Sequence, residues 1–147
     1  MKTILVPIDF SDVMPRVLDE AEKLARAFEA TLLLLHVAPP EPEFVGYDPG
    51  PQSVRDSVAQ DYNRLHHQLQ EIERSLQARS IQASALLEQG YPVEQILAEA
   101  KRHDTAWIVM GSHGHGMPRQ LLVGSVTEGV LRGSPCPVVT VPSHRTP

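Results

Sequence analysis

Short apolar runs alternate along this chain with longer stretches whose apolar residues recur at helical spacing. The apolar runs TILVPI, TLLLLHV, AWIVM and PVVTV have the length of strands, and TLLLLHV is apolar on both of its faces. Continuous apolar strands are typical of a parallel sheet that helices cover on both sides. Strands that alternate with helices also require right-handed crossover connections. The sequence therefore predicts an α/β fold with a single open five-stranded parallel sheet and helices on both faces.

The predicted order of elements is β-α-β-α-β-α-β-α-β. Strands are predicted at residues 3–8, 31–37, 81–89, 106–110 and 137–141, with the third strand near an edge of the sheet. Ser11 is the expected N-cap of the first helix, with Pro15 in its first turn, and Pro92 is expected at the start of the third helix. The proline-rich stretch from Ala38 to Gln52 predicts an irregular loop, of the kind that forms a lid or a docking surface.

The composition limits the classes of function. A chain of 147 residues, with 41% hydrophobic and 21% charged residues, is expected to form one globular domain over residues 1–147. The net charge of −5 argues against a nucleic-acid partner held by phosphate attraction. No apolar run reaches the roughly eighteen residues of a membrane span, and the first run is too short for a signal peptide, which predicts a cytoplasmic protein without membrane insertion. The single cysteine, Cys136, excludes an internal disulfide and is expected to be structural.

The stretch GSHGHGMPRQLLVGS, from Gly111 to Ser125, carries four glycines between the fourth strand and the last helix. It lacks the lysine of a Walker A loop, and Arg119 breaks the dinucleotide fingerprint. A KH-type RNA loop joins two helices, whereas this stretch follows a strand. Glycines allow successive backbone N–H groups to point into one concavity, and the helix that begins near Ser125 adds free N–H groups and a positive dipole end. The loop therefore predicts a polyphosphate cradle that needs no lysine.

The glycine spacing G-x2-G-x9-G-[S/T] resembles the ATP-binding branch of the universal stress protein family. The resemblance covers essentially the whole chain and includes PIDFSD, LLHV, GYPVEQIL and the closing GSVTEGVLRGSPCPVVTV. It implies an adenine nucleotide alpha-hydrolase-like fold with strand order 3-2-1-4-5. The residues that match the family's binding positions are Pro7, Ile8 and Asp9 near adenine and ribose, Val37 for a backbone contact with adenine, and Met110, Gly111, His113, Gly114, Gly124, Ser125, Val126 and Thr127 around the phosphates.

Some of these residues have a second interpretation. SVTE from Ser125 also fits a capping box, in which Ser125 would only cap its helix. Asp9 also fits a surface turn, and His113 with His115 fits loop polarity better than a metal site. His36 is expected to be a structural histidine with a satisfied hydrogen bond. No metal ligand and no catalytic residue is assigned.

The resemblance implies an ATP-binding stress-response or signalling module, more a nucleotide-binding protein than an efficient enzyme. Mg²⁺ bridging the phosphates would fit such a site. The strand from Pro137 to Val141 is expected at a sheet edge, where the family pairs it with its mate in a homodimer. Two alternatives stay open. One is a slow ATPase or phosphotransferase that uses Asp9, His113, Ser125 or Thr127. The other is a nucleotide-independent regulator of a protein partner that the sequence does not identify.

Overall fold

The computed structural model describes residues 1–40, 52–113 and 123–143, with side chains from residue 55 onward in the second range. The strands are β1 Thr3–Pro7, β2 Thr31–Ala38, β3 Ala83–Gln89, β4 Trp107–Gly111 and β5 Val138–Val141. The helices are α1 Met14–Phe28, α2 Gln52–Ala78, α3 Pro92–Arg102 and α4 Ser125–Gly133. The predicted order of elements is confirmed, and no strand boundary differs from its predicted position by more than about two residues. Most of the predicted proline-rich loop, residues 41–51, lies outside the described ranges.

The five strands form one parallel sheet in the order β3-β2-β1-β4-β5, as predicted, with β3 at an edge. The chain builds outward from β1 to β2 and β3, and then returns to place β4 on the other side of β1. The strand order therefore reverses between β1 and β4. In open α/β sheets, ligands bind at such a point, beside the carboxyl ends of the strands.

The core has two layers because the central strands are buried on both faces. In β2, Leu32 and Leu34 pack with α1 and α2 on one face, whereas Leu33 and Leu35 pack with α3 and α4 on the other. All four leucines are almost completely buried. Successive side chains of a strand point to opposite faces of the sheet, and both faces of β2 are buried. The central positions of β2 therefore all carry apolar residues, which is why the unbroken apolar run predicted a strand covered on both sides.

The long helix α2 spans 27 residues and buries only one stripe. Leu69 and Leu76 are fully buried, and Ile72 packs against the same core. His66 and His67 lie on the solvent side of the helix and are both exposed. Neither α2 nor any other helix within the described ranges is long and apolar enough to cross a membrane.

The start of α1 differs from the prediction. Its N-cap is Val13 and makes no side-chain capping hydrogen bond, so the expectation that Ser11 caps the helix is wrong. The chain leaves β1 through a tight turn in which the Asp9 carboxylate accepts a hydrogen bond from the Ser11 N–H and Phe10 has a φ of 58°. This turn delays the first helical residue, and the Ser11 Oγ is buried without a partner in the described structure. Pro15 lies in the first turn and Pro92 begins α3, as predicted.

Candidate functional site

A cavity of about 450 Å³ opens at the carboxyl ends of β1, β2 and β4. It lies at the reversal of strand order, where the fold rule places ligands. The cavity brings together ten of the predicted site residues: Pro7, Ile8, Asp9, Val37, Met110, Gly111, His113, Ser125, Val126 and Thr127. Gly124 is not part of the lining but directly precedes it as the N-cap of α4. Gly114 lies outside the described residues.

The first turn of α4 forms one wall of this cavity. Gly124 is the N-cap in an extended conformation without a side-chain capping bond, and Ser125 is already the first helical residue. The capping-box interpretation of Ser125 is therefore wrong: the Glu128 N–H bonds to the Gly124 carbonyl at 2.9 Å. Because the first N–H groups of a helix have no intrahelical acceptor, this end of α4 presents donors at the cavity wall.

Two hydrogen bonds fasten the start of α4 to the end of β4. The buried Thr127 hydroxyl donates to the Gly111 carbonyl at 2.8 Å, and the Gly124 N–H donates to the Ser112 carbonyl at 2.7 Å. Both bonds join residues at or next to the two ends of the glycine-rich stretch. The start of α4 is thus held at a fixed distance from the end of β4.

Gly111 is glycine for a steric reason. A Cβ at this position would lie 2.8 Å from Val13 Cγ1 and 3.3 Å from the His113 carbonyl oxygen. The start of α1 therefore packs directly on the backbone at the end of β4. This close approach brings the β1–α1 turn and the carboxyl end of β4 to the same cavity.

Asp9 serves the β1–α1 turn and also lines the cavity. Its carboxylate accepts the Ser11 N–H at 3.0 Å, which is the hydrogen bond of an Asx-type turn. Asp9 is nevertheless exposed, on the side where the cavity opens. The turn interpretation is confirmed, and the ribose contact stays a prediction.

His36 is structural, as predicted. Its Nδ1 lies 2.6 Å from the Ile8 carbonyl oxygen, so Nδ1 carries the proton of this bond. The imidazole packs edge-on against Phe10 with ring centroids 4.9 Å apart. This buried side chain ties β2 to the β1–α1 turn, and it also lines the cavity, which the sequence reasoning did not anticipate.

The sequence also missed seven apolar residues of the lining. These residues are Val13, Met14, Val17, Leu35, Pro39, Pro92 and Ile96. They come from the amino-terminal parts of α1 and α3, from the residue before α1, and from β2 and the residue after it. Pro92 was the one available signal, since a proline that starts a helix just after a strand lies at the carboxyl edge of the sheet. The others follow the spacing of ordinary core residues.

The charge of the cavity wall is small. Its described lining contains no lysine or arginine, and its titratable side chains are Asp9, His36 and His113. The His113 Nδ1 lies 3.1 Å from the Ser112 hydroxyl. Across the part of the chain that the structure describes, no group of three His, Cys, Asp or Glu residues could hold a metal ion. Within the described lining, a negatively charged ligand would therefore contact chiefly backbone N–H groups.

These features define an open, doubly wound α/β protein with a ligand-sized cavity at its switch point. The model of the universal stress protein family matches residues 1–142, and the chain belongs to that family. It is similar to universal stress protein YxiE of Bacillus subtilis (strain 168), with 30% identity over 143 residues that cover 94% of this chain and 97% of the relative.

Solved structures of the family share the fold. Universal stress protein UspA from Lactobacillus plantarum has a TM-score of 0.77 and 25% identity, over 95% of this chain and 97% of that one. A universal stress protein in complex with cAMP has a TM-score of 0.70 and 23% identity, over 97% and 98% of the two chains. The second likeness establishes a common fold.

Proposed function

We propose that this protein is a stress-response or signalling module that binds ATP in the cavity at the carboxyl ends of β1, β2 and β4. The observation that carries the proposal is the convergence of residues from β1, β2, β4 and α4, distant in sequence, around that one cavity. The cAMP complex of a structural neighbour supports an adenine nucleotide as the class of ligand. The apolar wall suits the base, and the polar end of α4 suits the phosphates.

The direction of the Val37 backbone groups supports a contact with the base. Pairing of β1 with β2 ends at Pro7 and Leu35, and the Ile8 N–H donates to the Leu35 carbonyl at 2.7 Å. Backbone groups two residues apart in a strand point to the same side. The N–H and C=O of Val37 therefore point to the β1 side, beyond the last bond between the two strands. One donor beside one acceptor matches the Watson–Crick edge of adenine, which offers N1 as acceptor and the N6 amino group as donor.

The phosphates would lie at the start of α4. Ser125, Val126 and Thr127 all line the cavity, and their N–H groups belong to the first helical turn. The positive end of the helix dipole favours an anion there. Since the described lining offers no cationic side chain, Mg²⁺ held by phosphate oxygens and water would supply the remaining positive charge.

The proposed module is a homodimer that forms through β5. Among the described strands, β5 pairs with β4 alone, so its other edge leaves backbone groups open to a partner strand. Val139 on this strand is half-buried and Thr140 is exposed. Light scattering at micromolar concentration tests the assembly, and a purely monomeric protein would contradict it. The cytoplasmic location remains a prediction from the sequence.

The nucleotide site is tested by a matched pair of variants at Ser125. Ser125→Pro removes one N–H from the proposed phosphate cradle, and proline is well tolerated at the first helical position. The extended Gly124, with ψ of 165°, accommodates a following proline. Ser125→Ala removes only the hydroxyl and keeps the N–H. Calorimetric titration with ATP, with and without Mg²⁺, measures binding to both variants and to the wild type.

We expect Ser125→Pro to weaken ATP binding by roughly tenfold or more, because a hydrogen bond to a charged group is lost. Ser125→Ala should bind within about twofold of the wild type. Adenosine has no phosphate and should bind the wild type and the proline variant alike. A wild-type protein that binds no adenine nucleotide would overturn the proposal. Equal ATP affinity of the two variants would contradict the placement of the phosphates at the start of α4.

A further inference from the structure

The two helices that flank the apolar side of the cavity touch through glycines. A Cβ on Gly129 of α4 would lie 2.8 Å from Cγ2 and 3.1 Å from Cγ1 of Val93 on α3. A Cβ on Gly133, one turn further along α4, would lie 2.7 Å from Cδ1 of Leu97. The distances of 2.8 Å to Val93 and 2.7 Å to Leu97 are shorter than real Cβ contacts. The backbones of α3 and α4 therefore approach more closely than any residue other than glycine would permit at these two positions.

The two glycine contacts differ in how easily they could yield. The Leu97 methyl is at the far end of a flexible side chain, which can change its rotamer to avoid an added Cβ. Val93 is β-branched, and both of its methyl groups already face Gly129, so rotation about χ1 exchanges one clash for another. An added Cβ at Gly129 must therefore separate the helices themselves.

The Gly129–Val93 contact lies directly behind the cavity wall. Val93 follows Pro92 and precedes Ile96 by nearly one helical turn, and both of these residues line the cavity. Gly129 follows Val126 by one turn, and Val126 lines the cavity as well. The start of each helix thus carries wall residues on one side and the interhelical contact on another. A change in helix spacing at Gly129 is transmitted to the wall within a single turn.

We propose that the Gly129–Val93 contact sets the spacing of α3 and α4 at the cavity, which makes Gly129 a positioning residue for the bound nucleotide. This inference rests on the proposed function, because it assigns a role at that same site. The glycine lowers the helix propensity of α4 relative to alanine. In return it allows the N–H groups at the start of α4 and the apolar residues of α3 to face one ligand at once.

The test uses Gly129→Ala, Val93→Ala and the double variant, with Gly133→Ala as the matched control on the same helix. Thermal unfolding first verifies that each variant folds. ATP affinity is then measured by calorimetry, and the methyl NMR signals of Ile96 and Val126 are recorded without nucleotide. The methyl signals report on the cavity wall independently of any ligand.

We expect Gly129→Ala to weaken ATP binding by roughly tenfold and to shift both methyl signals, because overpacking moves the helices apart. Val93→Ala removes the two obstructing methyl groups, so the double variant should regain most of the affinity and the wild-type signals. Gly133→Ala should change affinity by less than about twofold, since Leu97 can rotate away.

Two results would overturn the inference. In the first, wild-type protein binds ATP and Gly129→Ala binds it equally well with unshifted methyl signals. In the second, Gly129→Ala loses affinity and Val93→Ala fails to restore it, so that the effect does not pass through this contact. A wild-type protein that binds no nucleotide overturns the proposed function and the positioning role together. This outcome differs from the two results above, in which the wild-type protein still binds ATP.

Discussion

The sheet has an amino edge, where its strands begin, and a carboxyl edge, where they end. These two edges are completed by different kinds of interaction. Near the amino ends of the strands, side chains satisfy one another. The Lys2 ammonium lies 5.7 Å from the Phe28 ring and 5.3 Å from the Trp107 ring, whose centroids are 4.7 Å apart. On the same side, Glu22 accepts hydrogen bonds from Arg26 and Arg79.

Near the carboxyl ends, backbone groups and small residues form the structure. Gly111 lets α1 approach β4, Gly124 lets the chain enter α4 without a capping side chain, and β2 continues beyond its pairing with β1. The described cavity wall has no lysine or arginine. Donors and acceptors at this edge are fixed in direction by the backbone and are available to a ligand.

Stability and ligand binding depend on separate contacts at the amino edge and on the same contacts at the carboxyl edge. Contacts of side chains with side chains at the amino edge add stability and do not touch the cavity. Close backbone packing at the carboxyl edge holds the fold together and shapes the site at the same time. Substitutions at the amino edge should therefore change the free energy of unfolding alone, whereas substitutions at the carboxyl edge should change both that free energy and nucleotide affinity.

The largest effect is expected for Gly111→Ala. The added Cβ meets Val13 Cγ1 at 2.8 Å and a backbone oxygen at 3.3 Å, so α1 must shift, at a cost of about 1–3 kcal/mol in the free energy of unfolding. Because Val13 also lines the cavity, ATP affinity should fall as well. Urea denaturation and calorimetry measure the two effects. Adding Val13→Ala should restore part of the stability, and unchanged stability in the single variant would refute the steric explanation.

Thr127→Val tests the bond that joins α4 to β4. Valine keeps the shape of the buried threonine but cannot donate to the Gly111 carbonyl, which costs about 1–2 kcal/mol. We expect lower stability in urea together with weaker ATP binding, since the start of α4 loses its anchor. Thr127→Ser keeps the hydroxyl and is the control. If valine and serine variants bind ATP equally, the anchor does not orient the site.

The elements and the sheet could be predicted because their signals lie within each segment. The run TLLLLHV carries its double burial in its own residues, and each helix shows its own apolar stripe. The cap at Ser11 could not be predicted, because the position of the first helical residue depends on the turn that Asp9 and Phe10 make. Capping by Ser125, the second interpretation of SVTE, fails because Gly124 already fills the N-cap position.

The site residues at the strand ends and around the glycine-rich stretch were predicted, and the apolar residues that α1 and α3 contribute were not. Ile96 and Met14 occupy helix positions whose spacing is identical to that of core residues, so no local pattern reveals that they face a cavity. The role of Gly129 could not be predicted for a different reason. Within α4 it only weakens the helix, and its reason becomes visible once Val93 is placed opposite it.

Glu22→Gln is expected to lower stability without any effect on ATP affinity. Hydrogen bonds from Arg79, and then from Arg26, hold the pKa of the Glu22 carboxyl below its ordinary value of 4.5. A lowered pKa in the folded state stabilises the protein above the ordinary, unfolded pKa and ceases to do so as pH falls through the folded pKa. At pH 7 we expect a Tm lower by about 2 °C, since exposed ion pairs contribute little.

The pH dependence supplies the control for Glu22. The difference in Tm between wild type and variant should be constant from neutral pH down to about pH 5 and should shrink in more acidic solution. Added salt should reduce it as well. A difference that does not shrink at all as the pH falls below the unfolded pKa would show that the variant acts through packing instead of charge.

The smallest effect is expected for Lys2→Gln. Glutamine keeps most of the side-chain length but removes the positive charge that lies over the Phe28 and Trp107 rings, and an exposed cation–π contact is weak. We expect a Tm lower by about 1 °C and a changed environment of the Trp107 fluorescence. Lys2→Arg preserves the charge and should match the wild type in both. ATP affinity should be the same for all three proteins, and a loss of affinity in Lys2→Gln would mean that the two edges are coupled through the strands between them.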